Sequence, residues 1–143
     1  GHPHPDVHSA RAADEMLRFA AAAGAHDLHW VLLTGGASAL LAGPAGELTL
    51  DDELAVSRLL VASGATIQQV NVVRRHLSRI KGGQLARALA PAASLTLAIS
   101  DVLGDDPATI GSGPTVPDPS THADALEMLE RFALAGRVPP RVL

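Results

Sequence analysis

The sequence contains no cysteine among its 143 residues. That excludes a disulfide scaffold, a thiolate zinc site and a thiol nucleophile. Aromatic residues are nearly absent: Phe19, Trp30 and Phe132 make up 2% of the chain, too few for the stacked platforms that bind single-stranded nucleic acid. Charge is not strongly one-sided. A net charge of −4 argues against a general binder of polyanions. No run of about 18 apolar residues occurs, so no membrane-spanning helix is predicted. Residues 1–8 show no basic stretch leading into an apolar one, and no secretory signal is read there. The G-x-G-x-x-G dinucleotide fingerprint and the P-loop G-K-[ST] are both missing. The expectation is a cytoplasmic, soluble protein with neither nucleic acid nor membrane among its partners.

What remains is a chain 47% hydrophobic, of a length that fits one domain. Two prolines keep GHPHPD (1–6) irregular. Ser9 is predicted to cap a helix over 10–23, stopped by Gly24. The apolar run LHWVLLT (28–34) reads as a strand buried on both faces, as in parallel sheets. A short helix over 37–41 ends at Gly43-Pro44. Thr49 to Asp52 supply caps for a helix over 54–62. Thr66 caps a helix whose core face is Ile67, Val70, Val73, Leu77 and Ile80. On that helix Arg75 and Arg79 point away from the core, Arg74 and His76 flank it, and Lys81 occupies the last turn before Gly82-Gly83. A helix over 84–90 stops at Pro91, and LTLAIS (95–100) is the second buried strand. After a long loop over 101–119, Ser120 or Thr121 caps a helix with Ala125, Leu126, Leu129, Phe132 and Ala133 inward. This order predicts an α/β layered fold with parallel strands flanked by helices. Two strands do not make a stable sheet alone, so further strands are either hidden or outside the chain. The opening on Gly1 rather than Met fits a piece of something larger.

Ligands of open α/β sheets bind beyond the carboxyl ends of the strands, and both strands end in small, polar loops. The first is Thr34-Gly35-Gly36-Ala37-Ser38. Consecutive glycines bring backbone N–H groups close to an anion, the following helix adds its dipole, and Ser38 offers a hydroxyl. The plainer alternative is a tight turn that needs positive φ. The second loop is Ser100-Asp101-Val102-Leu103-Gly104-Asp105-Asp106. Its carboxylates suit Mg²⁺, or acceptance of a proton from a hydroxyl. Asp101, directly after the strand, is best placed; Asp105 and Asp106 either join it or cap the turn at Ala108-Thr109. Gly111-Ser112-Gly113-Pro114-Thr115 offers hydroxyls to an anion, or simply makes a loop. Arg74, Arg75, His76, Arg79 and Lys81 form a basic patch, by default a solvated helix face, although Lys81 beside two glycines is placed to reach a phosphate. His76 is by default structural. His2, His4 and His8 alternate with proline, lack helical ligand geometry and are assigned no metal.

Four segments carry a resemblance: GHPHPD (1–6), TGGASALL (34–41), LLVASGATIQQVNVVRRHLSRIKGGQLA (59–86) and ISDVLGDDPATIGSGPTVPDPST (99–121). Together they resemble the glycerate 2-kinase family, some of whose members carry the older label hydroxypyruvate reductase. The resemblance covers nearly the whole chain. It implies ATP- and Mg²⁺-dependent phosphorylation of D-glycerate to 2-phosphoglycerate. It also implies a two-domain enzyme, with the active site between a larger Rossmann-like domain and a smaller C-terminal domain. Residues 1–143 would then be a single, partial α/β domain of that enzyme, with a mostly parallel sheet. A lysine and an arginine that such enzymes use would lie elsewhere, and the fragment alone would be inactive. By residue, the resemblance implies catalytic roles for Asp101 and Lys81, and substrate or phosphate binding for Gly35, Gly36, Ser38, His76, Ser112, Gly113 and Thr115. The metal ligands would be Asp101, with Asp105 and Asp106 beside it. Thr34 stands where serine is common, and His4 where an apolar residue is frequent. Two other classes stay open: an NAD(P)H-dependent hydroxypyruvate reductase, against which the missing fingerprint speaks, and a non-catalytic scaffold or interaction module. An exposed sheet edge would favour self-association.

Overall fold

The structure, a computed structural model, describes residues 2–143; Gly1, the first residue of the GHPHPD segment, lies outside the described residues. Helix α1 spans Val7–Ala21. Its cap is Asp6 rather than Ser9, because the Asp6 carboxylate reaches two free N–H groups of the first turn, His8 at 2.9 Å and Ser9 at 3.0 Å. Ser9 instead accepts from the Asp6 backbone N–H at 3.2 Å, closing a reciprocal box. Strand β1 is Leu28–Leu33, and α2 is the single turn Ala37–Leu40. Helix α3 spans Leu50–Ala62, starting directly after its cap Thr49 and so earlier than the apolar run alone suggests. Helix α4 spans Ile67–His76, α5 Gln84–Leu89, strand β2 Ala93–Ala98 and α6 His122–Arg131. None of the helices among the described residues is long and apolar enough to cross a membrane.

Thr49 with Asp52 and Thr121 with Asp124 form further capping boxes. The threonine hydroxyls, then the threonine backbone N–H groups, hold both carboxyls below the ordinary value of 3.8. Folded carboxyls that are more acidic than unfolded ones add stability that is complete above the unfolded value and is lost as pH falls through the folded one. The contribution of these two carboxyls to the thermal midpoint should therefore be flat from neutrality to about pH 5 and fall below about pH 4. Asp124→Asn should flatten part of that acid slope. Melting curves by circular dichroism check this; identical acid slopes for the two proteins would remove the capping carboxylates as its source.

The two strands pair in parallel, from Leu28 opposite Ala93 to Leu33 opposite Ala98. This is the α/β architecture the sequence predicts, but the strands are not buried on both faces. Leu28, Trp30 and Leu32 on β1 and Leu95 and Leu97 on β2 are exposed, because the helices of the chain cover the opposite face. There Val31 packs with Met16 and Ala20 of α1 and with Leu85 and Leu89 of α5. The larger core lies between helices: Val56 and Leu60 of α3, Val70 and Val73 of α4, and Ala125 and Leu129 of α6. Ile67, expected in that core, is exposed.

Helix α4 ends at His76, not at Lys81, because the next residues turn to meet the chain after α2. Ser78 bridges Pro44, and Arg79 N–H donates to the Gly43 carbonyl at 2.7 Å. Arg75, expected to face solvent, is buried. Its guanidinium donates to Asp118 at 3.2 Å and to the Ala108 carbonyl at 2.8 Å, so the loop after β2 closes over the face of α4 that periodicity leaves to water.

Candidate active site at the strand ends

The two strand-end loops meet. Gly35, just past β1, lies so close under the exposed Asp101 side chain that a methyl group at Gly35 would overlap its carboxylate. Gly36 has φ +81°, and a Cβ there would sit 3.0 Å from the His2 ring. Glycine is thus required twice in succession, once for close approach and once for backbone conformation. His2, within the GHPHPD segment, lies against the same loop.

Behind the glycines runs a chain of side-chain hydrogen bonds. Ser112, buried, donates to Asn71 Oδ1 at 3.0 Å. Its hydroxyl is 3.0 Å from that of Ser38, which receives Arg74 Nη2 at 2.8 Å. Since the Ser112 proton goes to Asn71, Ser38 must donate to Ser112 while it accepts from Arg74. The Ser38 hydroxyl is therefore oriented by partners from α4 and from the loop after β2.

Lys81 is 0% exposed; its Nζ lies 2.8 Å from Glu53 Oε1 and 3.5 Å from the Leu41 carbonyl. Burial pushes the Lys81 ammonium below its ordinary pKa, and the Glu53 carboxylate opposes that shift. Lys81 is sealed in a buried ion pair rather than open to a phosphate. Its neighbours form a clasp. Gly82 and Gly83 N–H groups donate to the Ser112 and Gly113 carbonyls at 3.0 and 2.8 Å. Gly113 has φ +62°, and a Cβ there would lie 3.0 Å from the Ala108 carbonyl oxygen. Thr115 accepts from Thr96 of β2 at 2.8 Å. These glycines and hydroxyls hold the loops to each other.

The expected carboxylate cluster does not assemble: among the described residues no three His, Cys, Asp or Glu side chains come together to hold a metal ion. Asp106 caps a turn, accepting from Thr109 Oγ1 at 2.6 Å and from Ala108 N–H at 3.1 Å, and Asp105 is exposed with φ +52°. His76 lies apart from the strand ends. Its Nε2 is 3.2 Å from Ser120 Oγ and 3.6 Å from Asp118, with the His122 ring at 4.6 Å. Burial is the main cause lowering its pKa, opposed by Asp118. With Arg79, Arg87 and Gly83 it lines an open groove of about 1260 Å³. Neither Gly35, Gly36, Ser38 nor Asp101 borders that groove. The strand ends remain the better candidate because the exposed carboxylate and the glycine loop converge there.

Glu53 and Asn71 are the members of this site that sequence reasoning misses, and Arg74 is read there only as part of a solvated basic patch. Glu53 reads as an acid favoured by the start of α3. The one available signal is Asn71, a polar residue directly beside Val70 on the apolar side of α4.

The family described as a domain of unknown function, DUF4147, matches residues 1–143. An Agrobacterium vitis protein with the provisional name hydroxypyruvate reductase is 52% identical over 133 residues, 93% of this chain and 30% of that protein. A glycerate 2-kinase of Pyrococcus horikoshii is 42% identical over 142 residues, 99% of this chain and 32% of that protein. The crystal structure of a Thermotoga maritima glycerate kinase matches with a TM-score of 0.95 at 37% identity, over 99% of this chain and 34% of that one. The chain spans about a third of the length of these relatives.

Proposed function

Because this chain belongs to the DUF4147 domain family and is similar along almost all of its length to glycerate kinases, we propose that it carries part of the active site of an ATP-dependent kinase that phosphorylates D-glycerate to 2-phosphoglycerate. The observation that carries this reading is the contact of Asp101 with Gly35, which joins an exposed carboxylate to a glycine loop at the carboxyl ends of parallel strands. Phosphoryl transfer needs positioning and charge neutralisation more than covalent chemistry. In this reading Asp101 orients the C2 hydroxyl and takes its proton as the hydroxyl oxygen bonds to the γ-phosphorus and ADP leaves. The Gly35 and Gly36 backbone faces the anionic groups, with Ser38, whose proton goes to Ser112, holding its place beside them. Lys81, Ser112 and Gly113 act by positioning the loops. His76 and Thr115, which lie apart from Asp101, are given no contact with substrate.

Magnesium binds through one or two carboxylates together with substrate phosphates. Asp101 fits that use; Asp106, committed to its turn, and the separate Asp105 do not make a cage with it. Magnesium bound with the nucleotide would offset phosphate charge. The remaining two-thirds of a protein the length of its relatives would supply the other strands of a Rossmann-like domain and a second domain.

The test is conversion of D-glycerate and ATP to 2-phosphoglycerate by the full-length protein, run beside NADH oxidation with hydroxypyruvate. Phosphorylation without NADH oxidation is expected. The reductase reading is favoured by the Agrobacterium vitis relative's name alone, and NADH oxidation without phosphorylation would replace the kinase reading with it.

A further inference from the structure

The charges beneath the glycine loop do not balance. Lys81 and Glu53 are 0% and 2% exposed and form one ion pair. Arg74 is the third member: Glu53 acts electrostatically on it, and it acts on Lys81. Two cations and one carboxylate leave one positive charge in a largely buried cluster. Among the described residues Arg74 forms no ion pair of its own. Its Nε is buried without a hydrogen-bond partner, its Nη2 donates to Ser38, and Nη1 is left open. Buried donors in folded proteins are almost always satisfied, so an unmet one points to a bound water or ion. A water would fill the hydrogen bond but not the charge.

We propose that Arg74 binds an anionic oxygen of the substrate, phosphate or carboxylate, through the guanidinium donors that Ser38 leaves free, beside the Gly35-Gly36 loop. The fork of a guanidinium matches either anion. Ser38 sets the orientation of the fork, with Ser112 and Asn71 behind it. The buried Lys81–Glu53 pair fixes the charge environment. The proposal gives the cationic role that spacing suggests for Lys81 to a residue on the flank of α4. It rests on the kinase reading only for which anion is bound.

The test measures binding of inorganic phosphate, D-glycerate and ATP separately to the full-length protein by calorimetry, for wild type, Arg74→Gln, Arg74→Lys and Ser38→Ala. Loss of a charged hydrogen-bond donor should weaken the relevant anion by about tenfold to a hundredfold in Arg74→Gln. Arg74→Lys keeps the charge but not the fork and should weaken it by a smaller factor. Ser38→Ala should weaken it less than Arg74→Gln does. Loss confined to D-glycerate assigns a carboxylate; loss with phosphate and ATP assigns a phosphate. A wild type that binds none of the three overturns the proposal. So do unchanged affinities in folded Arg74→Gln, or in Arg74→Lys should the glutamine variant not fold. Equal losses in Ser38→Ala and Arg74→Gln also overturn it, because Arg74 would then act only as a buttress for Ser38. Phosphate binding lost in Arg74→Gln, in a protein that transfers no phosphate to glycerate, would sink the kinase reading and leave this one standing.

Discussion

Lys81→Met should lower the unfolding free energy by about 3–5 kcal/mol, the loss usual when one partner of a buried ion pair is removed. The cause is what stays behind. Glu53 is 2% exposed, and its Oε2 already lacks a hydrogen-bond partner; without Lys81, Oε1 loses its ion-pair partner as well. Arg74 is the cation that remains within electrostatic reach of Glu53. It offsets part of the unpaired buried charge and puts the expected loss toward the lower end. Glu53→Gln/Lys81→Met removes both charges and should recover most of the stability, since a well-packed neutral pair in a buried site is often no worse than the ionic one. Urea denaturation of both variants decides the matter. A single variant within about 0.5 kcal/mol of wild type is the behaviour of a solvated surface residue, and it would restore Lys81 to the role of a phosphate-reaching cation.

Most elements are legible in the sequence because their signals are local. Thr49, Thr66 and Thr121 each cap a helix with a partner three residues on, and both apolar runs carry strands, the second over Ala93–Ala98 rather than 95–100. The Gly35-Gly36 loop and Asp101 are legible as candidates as well, since each lies within three residues of a strand end. What is not legible depends on long-range partners. Burial of a charge becomes tolerable only when its counter-charge arrives, and Glu53 stands 28 residues from Lys81. The Ser38 hydroxyl is set by Arg74, 36 residues away, and by Ser112, 74 residues away. Helical periodicity assigns Arg75 to solvent because it describes one helix against one core; the loop carrying Ala108 and Asp118 adds a second covered face. Conversely, LHWVLLT has the composition of a strand buried on both faces, yet Trp30 and Leu32 are 61% and 75% exposed. In this chain the helices cover the other face.

On the proposed kinase reading, Asp101→Asn in the full-length protein should lower kcat for glycerate phosphorylation by about a hundredfold or more, the usual size of a lost general base. That corresponds to about 2.7 kcal/mol of transition-state stabilisation. The substitution keeps the size of the side chain, so the contact with Gly35 survives and the loop keeps its place. What it removes, on that reading, is the capacity to accept the C2 hydroxyl proton. KM for glycerate should change far less than kcat, because an interaction made mainly in the transition state leaves ground-state binding in place. If Asp101 serves magnesium instead, the signature differs: activity should recover as magnesium is raised, and KM for ATP should rise with the loss. Steady-state kinetics over a magnesium series therefore separates proton acceptance from metal binding at one carboxylate. Turnover within a few-fold of wild type at every magnesium concentration would remove Asp101 from the chemistry. The convergence of the strand-end loops would then serve only to pack Gly35 against its neighbour.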